Sequence, residues 1–362
     1  MHRLFLLALL CTALLRAQHS ETDNLGLSVF RGNILKHTPY VGHLMAGHPR
    51  GFVLSWNRQT FGEKEWQRAF NYPDYGVSLL YQNNQNPVLG DVYSLSAHYN
   101  FYFLKRHLTF RIAQGIAMAT HPYDKETNYK NNAFGSKLMS ANTFMLAFKK
   151  ADIIDRFGVQ AGFIFTHFSN GRIKSPNSGI NAYLFQLGVN YDLQEKNEYL
   201  TDTVAPARIV EPIKFNGVIR SGVSESQIAG SGQKPFYHIG LYADKRLSRK
   251  SAVQLGVDVF VSEYLKEYIR YRAVAYPEFG AVDPDTDYKR VAVVAGHELF
   301  INRLSVETQL GLYVYKPFKY ESDLYQRVGV KYYLTDKIFA ALSLKAHGGR
   351  AEAIETGIGV RL

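Results

Sequence analysis

His167 and Ser169 stand two residues apart in the stretch Thr166–Asn181, THFSNGRIKSPNSGIN. A serine hydroxyl is a weak nucleophile until a base takes its proton, and an imidazole is the usual base. The imidazole in turn needs a third group to fix its tautomer and orientation. Asn181 opens the next alternating run and is placed to be that group. Developing negative charge on an attacked carbonyl would need donors, and Asn170, Asn177 and the backbone near Gly171 lie in the intervening loop. The chemistry within reach is ester hydrolysis. The plain reading of the same residues is a polar turn between two strands.

That chemistry requires all three side chains on one face. In a strand, successive side chains alternate faces, and same-face neighbours are roughly 6.5–7 Å apart at Cα. Phe157, Val159, Ala161, Phe163 and Phe165 share a face with His167 and Ser169 at its end. On the returning run, Asn181 shares a face with Tyr183, Phe185, Leu187, Val189 and Tyr191. Both apolar faces therefore end in polar residues at the same height.

Runs of this kind fill the chain. Val253 to Val261, Val306 to Val314 and Ile354 to Leu362 alternate apolar with polar or glycine residues. Many such runs approach the ~9–11 residues that cross a bilayer at a tilt. Unpaired backbone groups cannot sit in hydrocarbon, so strands of this type must close on themselves. The fold expected is all-β, a transmembrane antiparallel β-barrel. A single barrel of about 14–16 strands is the first choice, and two eight-stranded barrels in tandem is the alternative. Strands are expected near 25–34, 51–57, 74–82, 90–104, 107–119, 138–149, 155–169 and 181–193. The second half should continue at 213–225, 235–246, 251–263, 288–302, 305–315, 323–334, 337–347 and 352–362. Long loops then fall at 120–137, 170–180 and 264–287, alternating with short turns as barrel topology demands.

The first residues, MHRLFLLALLCTALLRAQHS, read as a signal peptide over 1–17, with an apolar core too short to span a membrane as a helix. Cys11, the single cysteine, lies inside it, so the exported chain would have no thiol chemistry and no disulfide. The expected division is a barrel portion carrying the His-x-Ser pair (18–193), a linker with Pro206 and Pro212 (194–212), and further barrel strands (213–362). A formal net charge of +11 fits an anionic lipid surface as partner. Nucleic acid is not expected of an exported chain. No zinc-ligand spacing, phosphate-binding glycine loop or G-x-S-x-G is present, and neither metal nor cofactor is expected.

The residues H-F-S-N-G (167–171) followed by P-N-S-G-I-N (176–181) resemble the lipid A 3-O-deacylase family of the PagL type, acyloxyacyl-hydrolase-like outer-membrane β-barrel esterases. The resemblance covers roughly 74–193. It implies Ser169 as nucleophile, His167 as base, Asn170 and Asn177 as supporting residues, and lipid A in the outer-membrane bilayer as substrate. Asn177 would be the foremost oxyanion donor. Two departures stand out. The family has Glu where this chain has Asn181, and about 170 residues follow the part that matches. Three outcomes are open: a working Ser-His-Asn site, an acid supplied by Asp124 or Glu126, or a silent site. Arg172 and Lys174 are candidate contacts for lipid A phosphates. The rival reading is an inactive pore or surface-binding barrel. Inward charges at Arg327, Lys331, Lys345, Glu355 and Arg361 would suit its wet lumen.

Overall fold

The computed structural model describes residues 21–201, 210–276 and 282–362. The expected signal peptide and part of the expected linker lie outside the described residues. Among the described residues sixteen strands follow one another. The first eight are β1 (Thr22–Leu35), β2 (Arg50–Gln59), β3 (Asp74–Asn83), β4 (Asp91–Phe103), β5 (Leu108–Ala119), β6 (Leu138–Ile154), β7 (Phe157–Ser169) and β8 (Ile180–Asp192). The second eight are β9 (Lys214–Ser224), β10 (Lys234–Arg246), β11 (Ser251–Ser262), β12 (Arg290–Phe300), β13 (Leu304–Tyr315), β14 (Leu324–Tyr333), β15 (Ile338–His347) and β16 (Arg350–Arg361).

The strands close twice, into one barrel of β1–β8 and another of β9–β16. β8 pairs back onto β1 from Asn24↔Asp192 to Leu35↔Asn181, and β16 pairs onto β9. The single large barrel expected first is therefore corrected to two in tandem. Every wall pairing is antiparallel, and all but the two closures join chain neighbours.

The outer walls are apolar. Leu25, Leu27 and Val29 on β1, Phe163 on β7, Leu241 on β10 and Leu255 on β11 are all exposed. Aromatic rings gather at both ends of the first wall: Phe52, Tyr81 and Tyr93 at the long-loop end, and Tyr75, Tyr99 and Phe101 at the other. An apolar belt between aromatic girdles is the surface that a bilayer selects. No helix among the described residues is long and apolar enough to cross a membrane.

The interior of the first barrel divides by height. Towards the long loops it is hydrocarbon, with Phe30, Ile34, Leu80, Met145, Phe168 and Leu184 buried together. Towards the short turns, Asn57 Oδ1 accepts from His98, Asn100 and Arg111.

The interior of the second barrel is ionic. Arg327 donates to Asp258 and Glu355, Lys331 pairs with Glu298 and Glu307, and Arg220 donates to Glu307 at 2.7 Å. Lys345 pairs with Glu352, and Arg361 with Asp244. These inward charges, expected to face water, instead neutralise one another. Arg327, Lys331, Lys345 and Glu355 are fully buried. An eight-stranded barrel is just wide enough for side chains to fill, so its lumen is a packed core. The pore reading loses its support here.

Two details differ from expectation. β6 continues to Ile154, through a register irregularity after Lys150, where a turn was expected. The stretch expected as a loop at 264–287 begins with a helix, Glu263–Ala275. Its Tyr264, Leu265, Tyr268 and Ile269 pack with Phe318 over the mouth of the second barrel.

Candidate active site

β7 and β8 place the three polar residues together. Their register sets His167 opposite Asn181. Ser169 lies two residues on, at the end of β7, where the chain leaves the wall. His167 Nε2 lies 2.9 Å from Ser169 Oγ, and His167 Nδ1 lies 2.5 Å from Asn181 Oδ1. An amide oxygen can only accept, so Nδ1 carries the proton and donates it to Asn181. Nε2 is then left with a lone pair to accept from the serine hydroxyl. The arrangement is a relay of hydroxyl, imidazole and amide on the outer wall, at the long-loop end.

The backbone that follows is tightly fixed. Asn170 N–H donates to Asn177 Oδ1 at 2.8 Å. The Asn170 amide group donates to Ser136 Oγ and to the Lys174 carbonyl, and its Oδ1 accepts from Arg172 N–H at 3.0 Å. The Asn170 side chain is thus spent on holding the loop, and it is a brace. Asn177 Oδ1 is also engaged, which leaves its NH₂ as the end able to donate. Among the described residues, the Gly171 N–H meets no hydrogen-bond acceptor.

Gly179 is a site residue that sequence reasoning did not single out. Its φ is +68, and a Cβ there would lie 3.0 Å from Phe168 O, 3.1 Å from Ser169 Cβ and 3.3 Å from His167 Cε1. The missing side chain lets the 176–180 segment fold against the histidine and serine. Its signal was the glycine of P-N-S-G-I-N.

A second omission is Asn142. It is the β6 register partner of His167, and Gln114 is the β5 partner of Asn142. Gln114, Asn142, His167 and Asn181 form one polar row around the wall. It was hidden because sequence alone does not supply the register between strands.

Arg172 departs from expectation. It is 7% exposed. Its Nε donates to the Glu225 carbonyl at 3.0 Å and its Nη1 to Glu321 Oε1 at 3.0 Å, both in the second barrel's loops. It does not face lipid phosphates, because it is buried against the second barrel with its Nε on a carbonyl and its Nη1 on a carboxylate. Lys174 is exposed at the loop surface.

Of the two acids considered as substitutes, Asp124 is occupied. Asp124 Oδ1 accepts from Glu126 N–H and from the N–H and hydroxyl of Thr127. The Thr127 and Glu126 amides hold its carboxyl below the usual range. His37, His43 and His48 each have a separate partner. His37 reaches the Ser178 carbonyl at 2.9 Å, His43 the Lys130 carbonyl and His48 Asn33. Each ties the 36–49 loop to a different neighbour. Glu321, His347 and Glu352 do converge at the mouth of the second barrel, but Arg172, Arg290 and Lys345 already pair with these acids.

Comparison with known proteins bears on both barrels. No curated protein matches the chain. Solved structures align over most of it at low similarity. A chain described as "Asymmetric conductivity of engineered proteins" shares 9% identity, with 95% of this chain and 99% of that chain covered and a TM-score of 0.20. A triple mutant of the Rhodopseudomonas blastica porin shares 10%, covering 95% and 99%, with a TM-score of 0.19. CdiB from Acinetobacter baumannii shares 10%, covering 94% and 60%, with a TM-score of 0.18. Scores this low carry no argument, and the architecture rests on the chain's own pairing. Family models are informative. Residues 50–190 match "Lipid A 3-O-deacylase (PagL)", and residues 213–362 match "Acyloxyacyl hydrolase, C-terminal domain". The two matches take in both barrels: the chain belongs to the PagL lipid A 3-O-deacylase family of ester hydrolases, with an acyloxyacyl hydrolase C-terminal domain.

Proposed function

We propose that this protein removes an ester-linked acyl chain from lipid A in the bacterial outer membrane, using Ser169, His167 and Asn181. The observation that carries the reading is His167 hydrogen-bonded at once to Ser169 Oγ and to Asn181 Oδ1 on the wall that meets lipid. An amphipathic substrate anchored in the same bilayer would present its ester at that height.

In this reading Ser169 Oγ attacks the ester carbonyl while His167 Nε2 takes its proton. Asn181 holds the Nδ1 proton and so the correct tautomer, but supplies no charge to balance the imidazolium. The Gly171 N–H and the Asn177 NH₂ are assigned as donors to the oxyanion. His167 then returns the proton to the departing sugar hydroxyl. Water, activated by the same imidazole, frees the fatty acid from Ser169. Asn170 and Gly179 serve by fixing the backbone on either side. Lys174 is the remaining cation of the loop that could meet a phosphate.

The test is covalent labelling with a lipid-like phosphonate in detergent micelles. The expected result is modification of wild-type protein at Ser169, lost in His167→Ala with the barrel still folded. An unmodified Ser169 in the folded wild type would overturn the reading.

A further inference from the structure

The segment that follows Ser169 is held by the second barrel as well as by its own. Arg172 lies against Glu225 and Glu321 as described, and its guanidinium sits 4.6 Å from the centre of the Tyr264 ring. The Arg172 carbonyl accepts from Glu225 N–H at 3.0 Å. Three residues on, Ser175 N–H donates to Glu225 Oε2 at 2.6 Å and Ser175 Oγ to the Ser226 carbonyl at 2.6 Å. Gly171, at φ +60, packs against the Ile354 side chain of β16 so closely that a Cβ would collide with it. Inside the loop, the Arg172 N–H is bonded to Asn170, the immediate neighbour of Ser169. A continuous set of contacts therefore runs from Glu321 through Arg172 and Asn170 to the nucleophile.

We infer that the second barrel is a positioning element of the first barrel's site: through Glu225 and Glu321 it holds Arg172, and with it the 170–172 backbone beside Ser169. This rests on the esterase reading above. The geometry favours it over a purely adhesive contact. Arg172 spends a buried guanidinium and its carbonyl on the second barrel, within three residues of the nucleophile. Misplacement of a catalytic group by about 1 Å can cost on the order of a hundredfold in rate. Arg172 is a positioning residue, since it acts through the loop and touches no reacting atom.

The experiment measures kcat and KM on purified lipid A in mixed micelles, using the full chain. Wild type, Arg172→Ala, Glu321→Ala and the double variant are compared, and each is checked for the compact migration of a folded barrel on unheated gels. Arg172→Ala should lower kcat by roughly tenfold or more with KM nearly unchanged. Glu321→Ala, which alters only the second barrel, should lower kcat in the same direction. The double variant should fall short of the product of the two single effects, because the Arg172–Glu321 contact is already lost in either one. A raised KM with unchanged kcat would overturn the inference and make Arg172 a substrate contact, and effects that simply multiply would also overturn it. Should Arg172→Ala not fold, Ser175→Ala decides: a fall in kcat supports the inference and an unchanged kcat overturns it. A folded wild type with no turnover would sink the esterase reading and this inference with it, whereas an active wild type with unaltered variants sinks this inference alone.

Discussion

His167 and Asn181 are register partners on adjacent strands, and their Nδ1 and Oδ1 atoms lie 2.5 Å apart. The contact is fixed by the wall itself, since a shift of one residue would turn either side chain to the barrel interior. It sets the proton on Nδ1 and leaves Nε2 free to work on Ser169.

Replacement of Asn181 therefore separates orientation from charge. Asn181→Leu should reduce kcat by about a hundredfold or more, because nothing then fixes the tautomer. Asn181→Glu restores an acceptor that also balances the imidazolium, and kcat should rise above wild type. Steady-state turnover of lipid A by the three proteins checks both. Equal rates in wild type and Asn181→Leu would make Asn181 a bystander.

Gly179→Ala should impair catalysis while leaving the barrel folded. The new Cβ meets Phe168 O, Ser169 Cβ and His167 Cε1 in a left-handed backbone conformation. A kcat loss on the order of tenfold to a hundredfold is expected, with unchanged compact migration on unheated gels. Full activity in this variant would contradict the site geometry.

Acidification should lower kcat through the protonation of His167, since only the neutral imidazole can take the serine proton. The rate should rise with pH and then level off. Asp124 is exposed, and amide hydrogen bonds hold its carboxyl low, so it should not shape this limb. A profile measured on Asp124→Asn should overlay that of wild type.

The second barrel should not conduct. Arg327 bridges Asp258 and Glu355 across a filled lumen, so purified protein in planar bilayers should show no ion channels. Arg327→Ala leaves the buried Asp258 without its cation and Glu355 with only Arg220 at 3.9 Å and His238 beside it, and should destabilise the barrel by about 3–5 kcal/mol, read from its urea midpoint in detergent. Steady wild-type conductance would restore the pore reading.

Much of this architecture was legible in the residues. Alternation locates each strand because lipid and interior impose opposite chemistry on its two faces, as along Phe157 to Ser169. Where the wall closes was not legible, since the pairing of Asn24 with Asp192 joins residues far apart in the chain. The inward charges misled for a related reason. Arg327 reads alike in sequence whether it meets water or Glu355, and only the second closure brings Glu355 to it. Arg172 shows the same limit at the site, because a loop cation carries no mark of the neighbour that buries it. The helix after Ser262 was masked because its apolar residues, Tyr264, Leu265, Tyr268 and Ile269, fall in a stretch whose place between strands pointed to a loop.

The most direct test of the central claim is mass spectrometry of lipid A from cells carrying equal amounts of wild type or Ser169→Ala in the outer membrane. The account predicts lipid A lighter by one acyl chain with wild type and intact lipid A with Ser169→Ala. Identical lipid A in the two, with both proteins folded and inserted, would contradict it.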